Sequence, residues 1–108
     1  MPVTIKKKND ELFACLKGEI DHHTAPELRE AIDEALSLSE RATVLVLDFS
    51  EVSFMDSSGI ALILKLKRLM EISGGDIWIE HPNRQVLRVL EASGIGKLVP
   101  ITTEVRGE

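Results

Sequence analysis

The sequence predicts an α/β protein on a small, largely parallel, mixed sheet, in the order β-β-α-β-α-β-α-β. Three observations carry this. Thr43–Phe49 is a continuous apolar run rich in β-branched residues, bounded by polar segments, as in a central strand covered on both faces. Apolar residues recur at helical spacing on either side of it, at Leu28, Ala31, Ile32, Ala35 and Leu36, and again at Ile60, Ile63, Leu64 and Leu66. Short strand signals alternate with those stretches, and strands joined through helices run parallel because the connection must cross over.

Taken in order, Val3–Lys8 alternates weakly and meets the turn pair Asn9-Asp10, and Leu12–Leu16 is a second apolar run. They read as two antiparallel edge strands, with Lys6, Lys7 and Lys8 discouraging further pairing. Gly18–His23 reads as a loop. Thr24-Ala25-Pro26-Glu27 has the form of a capping box, Thr24 accepting from the Glu27 amide while Glu27 reaches back. Pro26 is tolerated in a first turn. The helix runs to about Ser37, with Glu27, Arg29, Glu30, Asp33 and Glu34 on its wet face. After the central strand a polar turn ends in Asp56, Ser57 and Ser58, and a helix from Ile60 to Ile72 stops at Gly74-Gly75. Asp76–Glu80 is a fourth strand, with Ile77 and Ile79 on one face and Trp78 on the other. Pro82-Asn83 opens a helix through Ala92 with Val86, Leu87, Val89 and Leu90 inward, ended by Gly94 and Gly96. Lys97–Ile101 is a short last strand, and 102–108 a frayed polar tail. Residues 1–108 are expected to form a single domain with one modest core.

Composition narrows the function. The apolar fraction is 44%, the charged fraction 29% and the formal charge −5. The one basic triplet, Lys6-Lys7-Lys8, is followed by Asp10, so nucleic acid is a poor partner. No apolar run is long enough to cross a bilayer and the N-terminus lacks a signal-like apolar segment, so no membrane partner and a cytoplasmic location are expected. Cys15 is alone, which excludes an intramolecular disulfide and a thiolate metal cluster; inside its apolar run it reads as a core thiol. Adjacent His22 and His23 do not aim readily at one ion, and His81 is far along the chain, so no metal is expected. There is no Ser-His-Asp order, carboxylate pair, Gly-x-Ser-x-Gly elbow or glycine-rich phosphate loop. The expectation is a protein with no catalytic residue and no cofactor, not an enzyme.

The chain is organised around Asp48–Gly59, where strand gives way to helix. The first amides of a helix lack intrahelical partners and the dipole is positive there, so that end suits an anion. Capping alone explains an Asp or a Ser at such a place, at about 1 kcal/mol each. Two serines after an aspartate exceed what one cap requires, which leaves one of Ser57 and Ser58 for a partner or a reversible phosphate. The phosphate adds about −1.5 to −2 charges beside Asp56. A partner fitted to a neutral hydroxyl would then face a poorly matched dianion, a binding switch that needs little conformational change. Asp21, His22 and His23 are expected beside the serine turn, because loops after parallel strands gather at one sheet edge. Phe54 reads as a core plug, and Met55 reads as core filling first and as an adaptable docking contact second.

Gly18-Glu19-Ile20-Asp21-His22-His23-Thr24-Ala25 together with Phe54-Met55-Asp56-Ser57-Ser58-Gly59 resembles the STAS-domain anti-anti-sigma factors, in particular the sporulation branch of anti-sigma F factor antagonists. The resemblance spans nearly the whole chain. It implies the STAS fold and a partner that is both an anti-sigma factor and a GHKL-type serine kinase. The unphosphorylated form binds that partner and releases a sigma factor. The kinase uses ATP and Mg²⁺ to phosphorylate the first serine of the motif, here Ser57, and a PP2C-type phosphatase reverses it. The partner-binding set is then Asp21, His22, His23, Met55, Asp56, Ser57, Ser58 and Gly59, with Asp56 in the kinase-recognition surface and Asp21 a contact from the neighbouring loop. Two departures stand out: the family's further C-terminal helix is not evident after Ile101, and Ile60-Ala61-Leu62 stands where a Leu-Gly pair is more typical, which should tighten the helix. A STAS module of another phospho-switch (a stressosome or a PP2C cascade) shares these features, and a small-ligand or nucleotide-binding module near Asp21 and Asp56 is the alternative of a different class.

Overall fold

A computed structural model describes residues 2–39 and 42–103. Its elements are β1 (Val3–Lys8), β2 (Glu11–Ile20), α1 (Ala25–Leu38), β3 (Val44–Met55), α2 (Ser57–Ile72), β4 (Asp76–Glu80), α3 (Arg84–Ser93) and β5 (Ile101–Thr102), with a turn of 3-10 helix at Ile95–Lys97. The order is the one the pattern predicts. β1 and β2 pair antiparallel across the Asn9-Asp10 turn, from Val3 opposite Leu16 to Lys8 opposite Glu11. Asn9 takes a φ of 56°, a left-handed conformation that asparagine tolerates. The other pairs, β2–β3, β3–β4 and β4–β5, are parallel.

The strands lie in the sheet in chain order, β1-β2-β3-β4-β5. Right-handed crossovers that always step the same way place their helices on one face of the sheet. Burial follows that geometry. Leu12, Ala14, Leu16, Leu45, Leu47, Phe49, Ile77 and Ile79 point inward and are buried with Leu28 and Ile32 of α1, Ile63 and Leu66 of α2, and Val86 and Leu90 of α3. The alternate positions Phe13, Cys15 and Trp78 are half-buried on the opposite face, whereas Val46, in the central strand, is fully buried. The expectation that Thr43–Phe49 is covered on both faces holds only in part: Val46 is buried on the open face, but Val44 and Asp48 beside it are half-buried and Thr43 is exposed.

Several boundaries differ from the sequence reading, each for a physical reason. Gly18-Glu19-Ile20 is strand, not loop: it continues β2 past register irregularities and pairs with Val52, Phe54 and Met55. Gly18, with φ of 88°, makes the stretch look like a loop in sequence. Likewise most of the supposed polar turn is the second half of β3, whose Ser50, Glu51 and Ser53 are polar because they face solvent. α2 begins at Ser57 rather than Ile60. The capping box at Thr24 does not form; its hydroxyl is engaged elsewhere, as described below. Lys97 belongs to the 3-10 turn, and the last strand is Ile101–Thr102, where Thr102 lies opposite Glu80 rather than in a tail. Residues 104–108 of the expected tail lie outside the described residues. Cys15 is not a core thiol. It shares the half-open face with Asp48 and Glu51, and its Sγ donates to the Glu51 carboxylate at 3.3 Å. Burial first, then the hydrogen bond to Glu51 and the Asp48 charge, push its pKa up to about 11. The thiol is therefore neutral and unreactive at neutral pH.

Candidate functional site

The site forms where β2 and β3 end side by side. Ile20 pairs with Met55, and the Asp56 N–H donates to the Ile20 carbonyl at 3.1 Å. Asp21–Thr24 and Asp56–Ser58 are thereby held next to each other, as the sequence reading expected.

Asp56 has extended backbone and caps α2: its Oδ1 accepts from the Ser58 N–H at 2.8 Å and its carbonyl accepts from the Gly59 N–H at 3.0 Å. Because the aspartate fills the capping role, neither serine hydroxyl is needed for it. Ser57 is the first residue of the helix and is exposed; Ser58 is half-buried. Gly59 is buried over the end of β3, and a Cβ there would overlap Cγ and Sδ of Met55. Glycine thus lets the first turn of α2 sit directly on the methionine.

The loop after β2 is built by Asp21. Its Oδ1 accepts from the N–H groups of His23 at 2.9 Å and Thr24 at 3.0 Å. The Thr24 N–H bond first, with the His23 N–H bond in support, holds the Asp21 carboxyl below the usual carboxylate range against an opposing desolvation. The Thr24 hydroxyl donates to the Glu19 carbonyl at 2.8 Å and accepts from the Asp21 N–H at 3.0 Å. This is why the capping box is absent: the threonine ties the loop to β2 instead. His22 and His23 project outward, exposed, with ring centroids 4.0 Å apart.

Two residues are placed differently from the sequence reading. Met55 is fully buried, as its core-filling reading had it and against its place in the partner-binding set, and Phe54 is 41% exposed, the reverse of a core plug. Neighbours in a strand point to opposite faces, so only one of them can enter the core. Met55 and Gly59 therefore shape the site from beneath, while Asp21, His22, His23, Asp56, Ser57 and Ser58 reach its surface.

Two further residues were not anticipated. β4 pairs with β3 only as far as Asp48, leaving the backbone of the site-bearing end of β3 without a strand on that side. Gln85 takes that place: its Nε2 donates to the Met55 carbonyl at 2.9 Å and its Oε1 accepts from the Met55 N–H at 3.0 Å. Asn83 caps α3 through Val86 and donates from Nδ2 to the Val52 carbonyl at 3.1 Å. Polar residues opening a helix read as ordinary caps, so nothing in the sequence marks them as clamps on another element.

A cavity of about 350 Å³ opens beside Ser58, between the starts of α1 and α2, lined by His22, Ala25, Pro26, Arg29, Ser58, Ala61, Leu62 and Lys65. Among the described residues no group of His, Cys, Asp and Glu is arranged to hold a metal ion.

A mixed five-stranded sheet with three helices in this order is the STAS fold. The chain belongs to the STAS domain family, which residues 3–107 match. It is similar to the anti-sigma F factor antagonist of Paenibacillus polymyxa, 38% identical over 90 residues that cover 83% of this chain and 76% of the relative. It is also similar to the anti-sigma-B factor antagonist of Bacillus subtilis, 26% identical over 105 residues, 97% of this chain and 94% of the relative. Among solved structures it resembles the anti-sigma factor antagonist SpoIIAA in its unphosphorylated form, with a TM-score of 0.79 and 30% identity over 94% of this chain and 89% of that one. The phosphorylated form of Bacillus SpoIIAA aligns with a TM-score of 0.70 and 29% identity, over 94% of this chain and 92% of that one.

Proposed function

We propose that this chain is an anti-sigma factor antagonist whose binding is switched by phosphorylation of Ser57. One observation carries the reading. Ser57 is exposed at the first position of a formed helix while Asp56 supplies the cap, so its hydroxyl can be esterified without removing a structural bond. The similarity to proteins named as antagonists of anti-sigma factors F and B, and to SpoIIAA in both unphosphorylated and phosphorylated forms, supports it.

In this reading the unphosphorylated protein docks on an anti-sigma factor that is also a GHKL-type serine kinase, through Asp21, His22, His23, Asp56, Ser57 and Ser58, and a sigma factor is released. The Ser57 Oγ attacks the γ-phosphorus of ATP, its proton passes to a base on the kinase, and ADP leaves with Mg²⁺. A PP2C-type phosphatase hydrolyses the ester, restoring the hydroxyl and freeing inorganic phosphate. The new dianion stands beside the Asp56 carboxylate within a face that fitted a neutral hydroxyl, and mispaired charge at an interface costs several kcal/mol. The chain itself catalyses nothing; it is a cytoplasmic single-domain binding module. Among the described residues no helix is long and apolar enough to cross a membrane.

The test is mass spectrometry of the chain after incubation with a candidate anti-sigma factor kinase, ATP and Mg²⁺. One phosphate on the peptide holding Asp56–Gly59, absent from Ser57→Ala, is the expected result. Ser57→Asp should weaken anti-sigma factor binding by at least about tenfold, the scale of a single misplaced interface charge. A phosphate on Ser58, or none with any such kinase, would sink the assignment.

A further inference from the structure

We infer that the groove between α1 and α2 is a second contact for the partner and takes an acidic segment of the anti-sigma factor. This rests on the function proposed above and extends the docking face to residues outside the serine motif. The groove opens at Ser58 and His22, so it is continuous with that face. Its apolar lining comes from Ala25, Pro26, Ala61 and Leu62, of which Leu62 is buried. Its two walls carry Arg29 from α1 and Lys65 from α2, both exposed. Among the described residues neither is in an ion pair, although Glu30 and Asp33 lie beyond Arg29 on α1.

Three features select the occupant. The chain has a net charge of −5, so two unpaired cations converging on one groove are a local reversal of its overall sign. Cations facing each other across a low-dielectric groove focus a positive potential on it. The acidic groups of the face, Asp21 and Asp56, do not line the groove. The face is therefore polarised, acidic around the loop and the cap, basic in the groove, and complements a segment with Asp or Glu aligned on the groove and small or aliphatic groups against its apolar lining. Beyond the groove, α2 continues outward with Leu64, 42% exposed, and Arg68. A phosphate on Ser57 would stand at the entrance and offset the attraction of the groove for an acidic segment, which couples the second contact to the switch.

The experiment measures binding of the full chain to the anti-sigma factor kinase that phosphorylates it, by surface plasmon resonance at two salt concentrations. The variants are Arg29→Glu, Lys65→Glu, the pair together, and Lys6→Glu with Lys8→Glu on the far edge strand. The double groove variant is expected to lose at least about tenfold in affinity, mainly through slower association, and to flatten the salt dependence of the wild type. The edge-strand control should change neither. Equal melting temperatures and an unchanged rate of Ser57 phosphorylation at saturating kinase would show that the variants fold and that the serine site is intact. Wild-type affinity and salt dependence in the double variant would overturn the groove contact and leave the Ser57 reading standing. Failure of the wild type to bind would overturn the functional reading itself, and the groove with it. A loss equal in the edge-strand control would reduce the effect to overall charge and also overturn the site.

Discussion

Asp56 and Ser57 are adjacent but do different jobs, and substitution separates them. Asp56→Ala removes the acceptor for the Ser58 N–H and should lower stability by about 1 kcal/mol, whereas Ser57→Ala should stay within about 0.5 kcal/mol of the parent. Urea unfolding of the two variants checks this, and equal losses would contradict the division of roles. Asp21 supplies the pH dependence. Its folded pKa lies below the ordinary 3.8, so the loop's extra stability is complete above that value and disappears as pH falls through the depressed one. Carboxyl NMR should put the Asp21 midpoint below 3.8, and Asp21→Asn, which keeps one carbonyl acceptor, should retain part of the loop order. A midpoint at or above 3.8 would show that the two N–H bonds do not persist in solution. At this scale the sequence was legible where one residue type has one use, as with Asp56 as a cap. It was opaque where a side chain chooses between partners. Thr24 fits a capping box but bonds to Glu19, and nothing in the order Phe54-Met55 says which of the two enters the core.

Elements were easier to detect than to bound. Period and composition locate the three α-helices and the first four strands, but they miss the 3-10 turn and start the last strand within it. β3 extends to Met55 because it pairs with β2 along its length, and pairing is invisible in a single segment. The same overreach creates the need for Gln85. Past Asp48, the second half of β3 has no strand on the β4 side, and a side-chain amide stands in for a peptide group with one donor and one acceptor. Gln85→Ala leaves both groups of Met55 without that partner and should cost on the order of 2 kcal/mol. Gln85→Glu keeps the acceptor but loses the donor and should fall between. Chemical denaturation orders the three proteins; no difference among them would mean that the backbone of Met55 is satisfied without this side chain.

For the molecule as a whole, chain-order strands with helices on one face leave no point where the strand order reverses, and so none of the crevice in which doubly wound folds bind small ligands. What the architecture offers is a serine pair, a tied loop and a groove gathered at one end of β2 and β3, which suits a protein partner. Stability should be graded across the sheet. Amide hydrogen exchange is expected to be slowest in β2 and β3, whose inward residues Leu12, Ala14, Leu16, Leu45 and Leu47 are at or below 1% exposure, and fastest among strands in the two-residue β5. Equal protection in β3 and β5 would refute that gradient. The fold class was readable because helices alternating with strands admit few topologies. The groove cations were not, because Arg29 and Lys65 sit far apart in sequence on faces that each look like ordinary solvated helix.

Chain-order strands also bear on synthesis. Each new strand adds to an edge already in place, so a chain emerging from the ribosome never has to open a finished sheet to insert a later segment. Once Ile72 has emerged, every residue of the serine pair, the Asp21 loop and the groove is present, yet Asn83 and Gln85, which grip the end of β3, are still to come. The serine end is made before the residues that secure it.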